Sequence, residues 1–185
     1  MEEIIRQKNI LNMMITMHSE LRDRYIFRSK FADIILFSSA AILNALVFVD
    51  YNFLQKFGLD KEYTQLLIGM FSIVIFIISV ITLIVSWKEK SESHDKAVNL
   101  LSKLLNDCRY ILESDDDDKK KRIPIFFDQH KQVNETIVKI PSKKFNSLKS
   151  LHLKKIELSK LVSTHPDTPL LLLRIKQFLN GVKFK

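Results

Sequence analysis

The chain has 185 residues, of which 46% are hydrophobic and 27% charged, and a formal net charge of +8. Its only glycines are Gly58, Gly69 and Gly181, so neither a phosphate-binding P-loop nor a dinucleotide-binding turn can be built. Mean hydropathy is +0.02, an average that merges long apolar runs within residues 31–87 with strongly charged segments elsewhere.

Residues 3–30 predict an amphipathic helix. Ile10, Met14, Met17, Leu21 and Tyr25 recur at intervals of three or four. Leu11, Met13 and Ile15 widen that face, and Asn12, Thr16 and Glu20 turn away from it. The helix is expected to run directly into a first membrane span over residues 31–50. The uncharged run there covers 34–49, and Phe31, Ala32 and an Asp33 at headgroup depth bring it to spanning length. About thirty residues, including Glu2, Glu3, Glu20 and Asp23, precede this run, unlike the short basic start of a cleaved signal peptide.

A connector over 51–65 leads to a second span over 66–87. This stretch carries no charge for twenty-two residues. As a helix it would be roughly 33 Å long, which matches the ~30 Å hydrocarbon core of a bilayer. Aromatic residues stand at the ends of both runs: Tyr25, Phe27 and Phe31, then Tyr51, Phe53 and Phe57, then Tyr63 and Trp87. Arg22, Arg24, Arg28 and Lys30 precede the first span and Lys88 and Lys90 follow the second. The connector offers only Lys56 and Lys61 against Asp50, Asp60 and Glu62, so both termini are expected in the cytoplasm. Cys108, the single cysteine, would then be a buried thiol on the reducing side.

Beyond the hairpin, residues 88–113 repeat a helical stripe through Ala97, Leu101, Leu104, Cys108 and Ile111. Paired with the N-terminal helix, it predicts a cytoplasmic stalk of coiled-coil character. Residues 114–122, SDDDDKKKR, set four acids before four bases and read as a charged linker or solvated helix end. The remainder is basic. Residues 119–185 hold sixteen Lys and Arg against four acids, a net of +12 that leaves −4 for the rest. With Pro124, Pro141, Pro166 and Pro169 as breaks, residues 123–185 should form two or three short helices, the clearest over 144–162 and 168–180. Basic amphipathic helices beside a span fit anionic lipid or an extension of the stalk. Nucleic acid is the sharper alternative, but no RNA-binding signature with stacking aromatics is present.

The predicted fold is thus all-α: a two-helix transmembrane hairpin extended by amphipathic cytoplasmic helices, with a short helical basic C-terminal region. No catalytic residue, metal site or cofactor is expected. His18, His94, His130, His152 and His165 are scattered, no two at metal-ligand spacing on one helix face, and each is expected at a surface or interface. No local motif supplies a serine nucleophile with its base, so the chain is not expected to be an enzyme.

The polar residues inside the spans are the candidate site. Ser72, Ser79 and Ser86 recur every seventh residue. Seven helical steps miss two full turns by only about 20°, so they form one slowly drifting stripe with Gly69 and Thr82 close by. On the first span Ser38, Ala41 and Ala45 form a second small-residue stripe near Asn44. Such stripes serve helix packing. In an oligomer they could also line a narrow polar path, with Asp33 and Asp50 at opposite mouths favouring cations. A single hairpin cannot enclose a pore, so that reading requires several copies.

Three segments carry a family resemblance: HSELRDRYIFRSKFAD (18–33), the two-span hairpin with its short connector, and WKEKSESHDKAVNLLSKLLNDCRYIL (87–112). Over about residues 10–113 the chain resembles the SLATT family, two-transmembrane effector domains associated with bacterial nucleotide-signalling conflict systems. The resemblance implies a multi-pass inner-membrane effector that forms pores or disrupts the membrane when a linked sensor or nucleotide-producing enzyme detects infection. The chain departs from that pattern in its long basic C-terminal extension and in having no recognisable nucleotide-binding domain, which leaves the activating signal open. The expected partners are the lipid bilayer, further copies of the chain and a sensor protein. The alternative reading is a non-conducting membrane scaffold whose basic region recruits a protein or nucleic acid.

Overall fold

The computed structural model describes residues 1–48 and 61–181, and these are helical, with no strand among them. In chain order the helices are α1 (Glu2–Phe48), α2 (Lys61–Val85), α3 (Trp87–Glu113), α4 (Asp116–Thr136), α5 (Ser142–Thr164) and α6 (Leu170–Gly181). Asp50 and most of the expected connector lie outside the described residues. The chain divides into two units, one of Met1–Glu20 with His94–Lys185, the other of Leu21–Ser93.

In the first unit the start of α1 runs antiparallel to α3. The Cys108 thiol donates to the Ile4 carbonyl at 3.8 Å, and fourteen residues further along each helix His18 meets His94. Between these points lies the core, formed by Ile4 and Leu11 of α1, Leu101, Leu104, Leu105, Cys108 and Ile111 of α3, and Phe126 of α4. All five positions of the stripe expected on α3 are buried. At about 1.5–3 kcal/mol for each large apolar side chain removed from water, this cluster is the main source of stability in the unit.

The packed face of α1 differs from the expected one. Met17 and Leu21 of the expected face are buried, but so are Leu11 at its edge and Ile4 and His18 outside it, whereas Ile10 and Met14 are only half-buried. Apolar residues fill almost every position from Ile10 to Met17, so periodicity alone does not choose among faces, and contact with α3 does. Thr16 and Glu20, expected to face solvent, meet α5: Thr16 Oγ1 lies 3.0 Å from His152 Nδ1, and Lys155 Nζ lies 3.5 Å from a Glu20 carboxylate oxygen.

Of the two readings of the charged run 114–122, the helix end holds and the linker does not. Ser114 and Asp115 make the bend, and Asp116 begins α4. Three aspartates in the first turn complement the partial positive charge of the helix N-terminus. Arg122 donates to Asp118 at 2.8 Å one turn back, and its guanidinium lies 4.3 Å above the Tyr110 ring. Pro124 lies inside α4 without ending it. Pro141 does mark a boundary, as the residue before α5, and Pro166 and Pro169 fall in the turn before α6. Helix α6 folds back on α5, with Gln177 Nε2 donating to the Lys154 carbonyl at 2.8 Å and to Glu157 at 3.0 Å.

In the second unit the residues of α1 shielded from solvent include Tyr25, Ser29, Ala32, Leu36, Ser39, Leu43 and Leu46, spaced alternately four and three, with Leu21, Ile26 and Ile35 beside them. On α2 the corresponding set is Thr64, Ile68, Ile75, Ile78, Thr82 and Val85. Alternating three and four is the seam of a left-handed helix pair. The rest of α2 is bare: Ile73, Phe76, Leu83 and Ile84 are each more than 60% exposed. Among the described residues one helical stretch, Glu62–Glu113, is long and apolar enough to cross a membrane; its best 18-residue window has a mean hydropathy of 2.9 and none of it is buried.

Candidate functional site

The candidate site is a cleft of about 750 Å³ in the second unit, lined from α1 by Ser29, Asp33 and Leu36 and from α2 by Phe76, Ser79, Thr82 and Leu83, among others. Of the residues singled out by sequence, it brings together Asp33, Ser79, Thr82 and Ser86. Spacing on α2 explains this: Ser79 and Thr82 are three apart and share a face, and Ser86 lies four beyond Thr82.

Ser86 reaches the cleft by an unexpected route. It is the residue between α2 and α3, with φ of 49°, the left-handed region that a non-glycine residue adopts at a cost. The helical ladder bridges this point, because the Ser86 amide donates to Thr82 at 3.3 Å and the Lys90 amide donates to Ser86 at 3.1 Å. The seven-residue stripe is therefore helical only from Ser72 to Ser79.

Several hydroxyls are committed to their own helix. Ser72 Oγ donates to the Ile68 carbonyl at 2.8 Å, Thr82 Oγ1 to Ile78 at 2.9 Å and Ser86 Oγ to Leu83 at 3.2 Å. A hydroxyl has one proton, so each of these oxygens presents lone pairs outward as an acceptor. With the Asp33 carboxylate of α1, the Thr82 and Ser86 oxygens place acceptors in a cleft whose lining also holds Trp87, Lys88 and Glu89.

Other candidates lie elsewhere. Ser72 is exposed on α2 and does not line the cleft. Ser38, Ala41, Asn44 and Ala45 are all exposed, so the stripe expected to pack the first span is not the packed face of α1; the seam passes through Ser39, one residue away. Asp50 lies outside the described residues.

Sequence reasoning missed a buried histidine pair in the first unit. Expected singly at a surface or interface, His18 and His94 instead meet within one helix interface, their Nδ1 atoms 2.9 Å apart and their ring centroids 5.1 Å apart. His18 is wholly buried and its Nε2 has no hydrogen-bond partner. Only one of the two Nδ1 atoms can carry the shared proton, so the contact needs a neutral acceptor ring. Burial, then the neighbouring His94, lowers the His18 pKa to about 4; burial, then the Lys144 ammonium, lowers that of His94. A signal for the pair existed. His18 stands one heptad beyond Leu11 and two beyond Ile4, and His94 extends the Ala97–Leu101 stripe by three residues.

The third buried histidine, His152, has a partner for its Nδ1. Thr16 Oγ1 spends its proton on the Asn12 carbonyl at 2.9 Å, so His152 Nδ1 is the donor to Thr16. Among the described residues no three His, Cys, Asp or Glu side chains converge as a metal site. Burial pushes the Cys108 thiol up to about 11, against the opposing pull of Lys8. No family model, curated protein or solved structure matches the chain.

Proposed function

We propose that the protein is an oligomeric inner-membrane pore-forming effector of a bacterial antiviral defence system, with no catalytic step of its own. The observation that carries this reading is the cleft that Asp33 lines from α1 and Ser79, Thr82 and Ser86 line from α2 and its end, set in a unit whose α2 surface is bare and apolar. Hydrocarbon is the solvent that suits such a helix, and polar groups retained at that depth mark packing faces or ion paths.

In this reading residues 31–50 and 66–87 both span the bilayer, with the two termini in the cytoplasm, and several copies surround the path. Two carboxylates, Asp33 and Glu89, against the single cation Lys88, together with the hydroxyl oxygens, favour cations over anions in this cleft. The resemblance of residues 10–113 to SLATT effectors supports the biological setting, in which conduction collapses the membrane potential of an infected cell.

The test is membrane potential, read with a voltage-sensitive dye in bacteria induced for the intact chain, for Ser79→Leu, and for Ile81→Leu as a substitution outside the cleft, all matched for membrane level. Depolarisation by the intact chain and Ile81→Leu but not by Ser79→Leu is expected. Equal depolarisation by all three removes the cleft from the mechanism. No depolarisation by any of them, in the presence of infecting phage, favours the non-conducting scaffold.

A further inference from the structure

Helix α6 carries more apolar surface than α5 covers. Leu173 is buried and Gln177 ties the helix to α5, yet Leu170, Leu171, Leu172 and Ile175 are all about half or more exposed. Consecutive residues on a helix are 100° apart, so three adjacent leucines sweep about 200° and cannot all face one neighbour. Charge surrounds this patch. Residues 142–176 carry eight Lys and Arg against Glu157 and Asp167.

The direction of α5 adds a second observation. Its contacts with Thr16 and then Glu20 occur at His152 and then Lys155, so α5 runs parallel to the start of α1. Ten residues after Lys155, about 15 Å of helix, the chain reaches His165 and the turn before α6.

We infer that the α5–α6 turn and the outer face of α6 dock on an anionic bilayer surface, with Leu170, Leu171 and Leu172 at the boundary of headgroups and acyl chains and Arg174 and Lys176 on lipid phosphate. This rests on the membrane reading above. Acyl chains accept a leucine patch of any shape, and anionic phosphates neutralise the surrounding cations. A second copy of the chain fits less well, because the same excess of lysines would confront itself. Nucleic acid would neutralise the charge but offers no partner to the leucines.

The experiment uses the full chain in nanodiscs of phosphatidylcholine alone or mixed with phosphatidylglycerol. A nitroxide is attached at Leu171→Cys, or at Lys149→Cys as an exposed control; Cys108 is buried and stays unlabelled. Relaxation by oxygen is compared with relaxation by a water-soluble nickel chelate. A several-fold rise in the oxygen-to-nickel ratio at position 171 in anionic discs, absent at 149 and reduced by Arg174→Glu with Lys176→Glu, is expected. An equally low ratio in both lipids overturns the proposal, as does protection from nickel in detergent that grows with protein concentration, the mark of a second copy. Alkaline carbonate extraction separates this failure from failure of the membrane reading: a chain that stays in the membrane while its label stays wet refutes only the docking.

Discussion

His18 and His94 share one hydrogen bond at 2.9 Å from rings buried on antiparallel helices, and the far nitrogen of His18 meets no partner. A buried neutral imidazole makes stability depend on pH in a definite direction. As pH falls below 6.5 the unfolded chain takes up a proton at His18, while the folded chain resists until about 4. Stability is therefore retained above 6.5, declines between 6.5 and about 4, and levels off below. The His18 contribution is on the order of 3 kcal/mol. Burial lowers the His94, His130 and His152 pKa values too, so they add to the same slope. Thermal unfolding in detergent should show a clear loss of Tm from pH 7.5 to 4.5, and His18→Leu should make the slope shallower without removing it. An unchanged slope in that variant would show that His18 does not carry it.

Adjacent residues on α4 give a contrast in burial. Phe126 is 1% exposed and Ile125 57%. Phe126→Ala should cost about 3–5 kcal/mol by emptying the contact with α1 and α3, and Ile125→Ala no more than about 0.5 kcal/mol. Urea unfolding of the two variants compares them directly.

Ser86 tests whether the bend between α2 and α3 matters apart from the hydroxyl there. Ser86→Gly keeps the left-handed backbone accessible, whereas Ser86→Val adds a β-branched side chain at φ of 49°. Gly should fold about as well as the native chain and Val should lose about 1–2 kcal/mol, read as a fall in Tm. A normal Tm for Ser86→Gly combined with weaker depolarisation would assign the loss to the hydroxyl.

Cys108 should be nearly inert in the folded chain. With its pKa pushed up to about 11, the thiolate fraction near pH 8 is lower by about 100-fold than for an ordinary thiol, and burial adds to this. Reaction with a maleimide should be slow in detergent and become rapid in urea. Fast labelling of the native protein would place Cys108 outside the core.

Much of the architecture was legible in the sequence because each signal was a contrast. The stripe from Ala97 to Ile111 stands out against Lys96, Asn99, Lys103 and Asp107, and those apolar positions are buried. Helices α5 and α6 begin and end within two residues of the expected bounds, where Pro141, Pro169 and Gly181 set the punctuation. The absence of charge from 66–87 likewise sufficed to mark α2.

Tertiary structure decided what lacked contrast. In a segment apolar on every side, such as α2, the packed seam through Ile68, Ile75 and Ile78 has the same chemistry as the exposed Ile73 and Ile77, so only the neighbouring helix distinguishes them. The serines were conspicuous because they are polar, but polarity alone does not say that Ser39 is buried within the chain and Ser38 exposed. The same reason explains the histidine pair: His18 and His94 are 76 positions apart, and nothing local to either says that the other will be there. Contrast along the chain was enough to mark α3, α5, α6 and the uncharged stretch of α2, but not α4, where Pro124 and the charged run 114–122 hid a helix. Which faces meet, and which polar groups are thereby stranded together, depended on contacts between residues far apart in the chain.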